Sequence, residues 1–204
     1  MNTLTRYPFL LLLGFCAACS SNDKPEANAS TATSAPTAAV EKAPPTNANA
    51  AIDEKNGFRT YHFGDDISMC PDLEYFMNLG KDVRIYHMKK SKENMKIGDA
   101  PLESISYSFY KGKFYETQLD IVGGYTGLDK VIAALESLYG KPTEVGKISK
   151  WASWTGQKAK AVATMANSSR DARLTITSLP ISKQIEEEEK AASQEGGSKA
   201  KADL

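Results

Sequence analysis

Two histidines, three cysteines and the adjacent carboxylates Asp65-Asp66 are the side chains here whose chemistry could go beyond packing. A zinc centre needs three or four ligands. His62 and His87 lie far apart, with no cysteine or acid at ligand spacing from either, so both read as partly exposed histidines of strands. Asp65-Asp66 follows Gly64 at a strand end and reads as a turn rather than an acid–base pair. The run IVGGY places Gly123 and Gly124 ahead of a helix. Such a pair could cradle an anion, but a hairpin-to-helix turn explains it more simply. No Gly-x-Ser-x-Gly elbow, phosphate loop or dinucleotide fingerprint occurs. The expectation is no catalytic residue, no cofactor and no metal. Cys16 and Cys19 have Cys-x-x-Cys spacing, yet a redox pair opens a helix after a strand, where the helix N-terminus lowers one thiol's pKa. This pair ends an apolar stretch instead.

That stretch, MNTLTRYPFLLLLGF, has Arg6 as its one charge, then about nine apolar residues, then small ones, the pattern of an export signal. It falls well short of the roughly 20 apolar residues of a membrane-spanning helix. Phe15-Cys16-Ala17-Ala18-Cys19 resembles the lipobox of bacterial lipoproteins, although Cys16 stands where that family usually has Leu. The resemblance implies cleavage between Ala18 and Cys19 and acylation of Cys19; the bulk of Phe15 argues against Cys16 as the modified residue. Ser20, in place of Asp, implies sorting to the outer membrane. Two acyl chains already anchor a protein stably, at about 0.8 kcal/mol per buried CH₂.

After such processing Cys70 is the remaining cysteine, expected to be buried and inert. Lys plus Arg and Asp plus Glu are equal at 25 each. The middle of the chain is only slightly basic, far from the cationic stripe of a nucleic-acid binder, so no nucleic-acid partner is expected.

Residues 20–56 are Ala, Thr, Ser, Pro and Asn with few large apolar side chains, and read as a disordered tether. As a flexible coil it would span about 33 Å. Composition changes at Gly57. The expected organisation is a signal peptide over 1–18, a lipidated N-terminus and linker over 19–56, a globular domain over 57–182, and a charged, partly helical tail over 183–204.

Within the domain, YTGLDKVIAALESLYGKP predicts a helix over 127–139. Thr126 would cap it, Leu128, Val131, Ile132, Leu135, Leu138 and Tyr139 would share a face, and Gly140 and Pro142 would end it. SISYSFYKGKFYETQLDIV alternates and predicts a hairpin. A three-residue loop, Tyr110-Lys111-Gly112, would pair Tyr107 with Tyr115 and keep the apolar faces together. Ser106, Ser108, Tyr110, Phe114, Glu116, Gln118 and Asp120 would then form a mostly solvated face. Pro71 suggests a short helix over 71–79 with Leu73, Phe76 and Met77 inward. DVRIYHM, KISKWASW, KAKAVATM and ARLTITSL read as strands. The fold class is α+β, an antiparallel sheet with helices on one face, conceivable as two α-β-β-β units.

Two features suggest binding. Lys81, Arg84, Lys89, Lys90, Lys92 and Lys96 form a basic run, suited to an anionic surface or to simple solvation. Trp151 and Trp154 should point to opposite faces of a strand, and an exposed Trp beside Tyr110 and Phe114 would make a contact patch. FRTYHFGDD, ESISYSFYKGKFYETQLDIVG and LESLYGKP resemble a pattern recurring in exported bacterial proteins and lipoproteins that carries no assigned activity. The resulting expectation is an outer-membrane lipoprotein, not an enzyme. Its lipid-anchored domain would face the periplasm and bind an envelope protein or polymer. The alternatives are an envelope-acting enzyme with a site scattered in sequence, or an inhibitor-like module.

Overall fold

The computed structural model describes residues 49–89, 92–146, 149–165 and 172–202, with side chains up to residue 194. The expected signal and lipobox, and most of the expected tether, lie outside the described residues. The chain enters through helix α1 (Ala50–Lys55), followed by the short strands β1 (Gly57–Phe58) and β2 (Tyr61–His62), which pair with each other. One antiparallel meander consists of β3 (Leu73–Asn78), β4 (Val83–Met88), β6 (Ala100–Tyr110) and β7 (Lys113–Ile121), with β5 (Lys96–Ile97) beside the start of β6. Helix α2 (Gly124–Tyr139) then crosses to β8 (Glu144–Val145), β9 (Trp151–Thr155), β10 (Ala159–Met165) and β11 (Ala172–Ser178), and α3 (Leu179–Ala202) follows. The strand order is β3-β4-β6-β7-β11-β10-β9-β8, so the two meanders meet at β7 and β11, with Leu119 opposite Leu174. The class is α+β, as expected.

One face of this sheet is the core. Ile105, Tyr107, Phe109, Leu119, Ile121, Leu174, Ile176 and Trp154 are buried on it, and Leu128, Val131 and Leu135 of α2 pack against them. α2 lies across β6, β7, β10 and β11. Alanines at 152, 159, 161, 163 and 172 are fully or almost fully buried; their small side chains let α1 and α2 approach β10 closely. Gly127 serves the same end, since a Cβ there would lie 2.2 Å from the Val122 carbonyl oxygen. Phe58, Tyr61 and Phe63 complete the core, with ring contacts to Tyr107 and Phe114.

Four expectations are corrected. The stretch expected as a helix over 71–79 holds strand β3 (Leu73–Asn78) instead. A bulge between Tyr75 and Met77 breaks its alternation, and a bulge sets neighbouring residues on one side. Phe76 and Met77 thus imitate the spacing of a helical face. With a strand there, the first α-β-β-β unit does not form. In the β6–β7 hairpin, Tyr110 pairs with Lys113 around a two-residue turn, Lys111-Gly112, with φ of 48° and 82°. Positive φ at both positions is the hairpin turn that matches strand twist. A bulge beyond it leaves Tyr107 opposite Thr117 rather than Tyr115, and this restores the face match that the loop was expected to provide. Helix α2 begins at Gly124, capped by Gly123, so Thr126 lies inside its first turn, and Leu138 is exposed. Lastly, the domain starts before residue 57. The Asn49 side chain caps α1 and also donates to the Tyr139 carbonyl, and Asp53 accepts from the backbone N–H groups of Gln157, Lys158 and Ala159.

Candidate functional site

The four aromatic residues expected to form a contact patch do not come together. Trp154 is fully buried, its indole N–H donating 2.8 Å to the Gly140 carbonyl. Trp151 is half-buried on the same strand. The two do face opposite ways, but β9 lies three strands from β7, roughly 14 Å at the usual strand spacing. Phe114 is fully buried among Tyr61, Phe63, Tyr107 and Phe109. Tyr110 is buried as well, because α3 reaches the hairpin: the Tyr110 hydroxyl donates 2.6 Å to Glu188, which also pairs with Lys111. The solvated face thus holds Ser106, Glu116, Gln118 and Asp120 half-exposed but loses Ser108, Tyr110 and Phe114.

Exposed apolar area gathers elsewhere, on β3. Tyr75 and Phe76 are each 56% exposed, Met77 43% and Leu79, just past the strand, 59%. β3 is an edge strand; among the described residues it pairs with β4 alone. An edge strand carries a row of backbone groups without a strand partner, and proteins usually blunt such edges with charge. Here only Glu74 is charged in the strand. The side chains are not loose. Tyr75 meets Tyr86 edge-on at 5.9 Å, and Phe76 stacks on His87 at 4.3 Å with an 18° interplanar angle. Ordered aromatics lose less entropy on contact with a partner.

A cleft adjoins this edge. β4 and β6 pair from Val83↔Tyr110 to Tyr86↔Tyr107 and then part. The gap forms a cavity of about 430 Å³ lined by Glu74, His87, Met88, Glu93, Met95, Glu103, Ser104 and Ile105. Its outer wall is held by Arg59, a non-glycine residue with φ of 54°. The Arg59 guanidinium pairs with Glu93, donates to the Asn94 carbonyl and lies over the Phe58 ring. Burial lowers the Arg59 pKa from its ordinary value. The buried Tyr107 hydroxyl donates 3.2 Å to the same Glu93 carboxylate, and burial keeps that phenol firmly protonated.

The histidines do not meet. His62 is exposed, with Asp65 3.9 Å away, whereas His87 is half-buried with Ser106 at 3.3 Å. Asp65 and Asp66 are turn residues: Asp65 accepts from the His62 N–H at 2.7 Å, and Asp66 accepts from both the N–H and the hydroxyl of Ser68. Gly123-Gly124 is the turn into α2. Cys70 is buried, and burial pushes its thiol up to about 11. Of the basic run, Lys92 pairs with Asp72 and Lys89 donates to the Pro71 carbonyl; Lys81, Arg84 and Lys96 are exposed, and Lys90 lies outside the described residues. No group of three His, Cys, Asp or Glu side chains that could hold a metal ion occurs among the described residues. Nor is any described helix long and apolar enough to cross a membrane.

Compared with protein-family models, with curated proteins and with solved structures, the chain finds no significant match in any of the three.

Proposed function

We propose that this chain is a lipoprotein held at the outer membrane through acylated Cys19, and that its domain is a non-enzymatic binding module in the periplasm. Its contact surface is the β3 edge, and its partner is another protein of the envelope. The observation that carries this reading is the set of ordered apolar side chains left in solvent along one strand edge, Tyr75, Phe76, Met77 and Leu79. Exposed edges accept an extended segment as an added strand, with backbone bonds supplying affinity and side-chain pockets supplying choice. The enzyme alternative has less support in the neighbouring cleft. Glu93 is neutralised by Arg59 and bonded to Tyr107, and His87 is engaged by Phe76 and Ser106. Neither stands free as an acid or base.

The test is photo-crosslinking in intact cells with the full-length protein. A photoreactive residue replaces Phe76, or, as a control, exposed Glu136 on α2. Discrete adducts from position 76 and none from 136 support the reading. No adduct at 76, or the same ladder from both positions, contradicts it.

A further inference from the structure

The cleft beside β3 has a composition that selects its occupant. Its walls are Met88, Met95 and Ile105, its rim holds Glu74 and Glu103, and among the described residues, which do not include Lys90, no Lys or Arg lines it. Neither rim carboxylate has an ion pair or hydrogen bond among the described residues, whereas Glu93, deeper in, is already matched by Arg59. Apolar walls rimmed by negative charge that no described residue matches complement a long aliphatic stem ending in a cation, which is the shape of Lys or Arg. Methionine walls adapt to such a stem. The volume, about 430 Å³, is in the range of specific pockets. Glu74 belongs to both features, as a residue of β3 and of the cleft rim. His87, opposite Glu74 in the β3–β4 register, has its ring stacked on Phe76 and presents a further polar group beside Ser104.

We infer that the partner is an extended protein segment that lies along β3 and lays one Lys or Arg side chain across the mouth of this cleft. The stem lies over Met88 and Met95, and the cation is held at the rim by Glu74 and Glu103. This inference rests on the reading of β3 as the contact surface, and it adds the charge of the anchor. Truncating the anchor or the rim acids would weaken the complex without moving its place on the domain.

The experiment uses the soluble chain from residue 49 onward, if its unfolding transition matches that of the full protein, and otherwise the full protein in detergent. The probes are three peptides of alternating Thr and Val with a central Arg, citrulline or Glu. Binding is followed by the NMR shifts of the Met88 and Met95 methyl groups. The expected order is Arg above citrulline above Glu, with about a tenfold gap at the first step, and Glu74→Gln with Glu103→Gln should abolish that gap. Both acids are exposed, so the double variant is expected to fold. Equal binding of the Arg and citrulline peptides, a gap that survives the double variant, shifts remote from the cleft, or no binding at all would each overturn the inference. Crosslinking from position 76 alongside such a failure would leave the β3 reading standing and remove only the cationic anchor.

Discussion

At the scale of single residues, four side chains carry testable consequences: Asp53, Arg59, Glu93 and Cys70. Asp53 accepts three backbone N–H bonds from the β9–β10 turn. A carboxylate on backbone donors is among the stronger protein hydrogen bonds, so Asp53→Ala should cost about 2 kcal/mol, read from the urea midpoint. A loss below about 0.5 kcal/mol would show that water replaces the carboxylate freely. Arg59 and Glu93 form a pair whose partners are 22% and 7% exposed. Glu93→Gln leaves a half-buried guanidinium facing a neutral group and should cost about 3 kcal/mol. Replacing both residues by Met should cost less than either single change, because no buried charge is then left alone. A double variant as unstable as the two singles combined would refute that account. Cys70, with its thiol raised to about 11 by burial and by Asp65 and Asp66, should resist thiol reagents at about pH 8 until denaturant is added. Rapid labelling of the native domain would mean that its site opens.

Among the elements, α3 shows the clearest dependence on solution conditions. Glu188 sits well below its ordinary 4.5, at about 2, because Lys111, Tyr110 and Gln184 all donate to it. A carboxylate whose pKa falls on folding contributes fully above its unfolded value and loses that contribution as pH drops through the folded one. The docking of α3 on the hairpin should therefore be complete at neutral pH and weaken between about pH 4.5 and pH 2. Hydrogen exchange in residues 185–192 would follow it, and loosening already near pH 6 would contradict this account. The same scale shows what the sequence disclosed. The strands after α2 are legible because their alternation is regular, as in Ala172 to Ser178. The two bulges were not legible. Each adds a residue that breaks the period of two, so Leu73, Phe76 and Met77 imitate a helical face and Tyr115 shifts the hairpin register. The candidate site was hidden for the same reason: assigning Phe76 and Met77 to a helix turned them inward. A signal was present in the run Leu-Glu-Tyr-Phe-Met, whose aromatics favour strands. The covering of Tyr110 by α3 had no local signal, since Glu188 is 78 residues away.

For the molecule as a whole, the folded domain extends upstream of residue 57 at least to Asn49, because Ile52 is fully buried and Asp53 binds the far meander. A chain starting at residue 57 should be at least about 3 kcal/mol less stable than one starting at 49, from the lost Ile52 burial and the lost Asp53 bonds. Equal denaturation midpoints would return α1 to the tether. Everything proposed about the partner depends on where this domain is held, and the anchor at Cys19 is the central claim about that. The most direct measurement is the intact mass of the mature protein purified from membranes, beside a Cys19→Ala control. The account predicts the mass of residues 19–204 plus a diacylglyceryl group and one further acyl chain, absent from the control. An unmodified mass in a soluble fraction would contradict it.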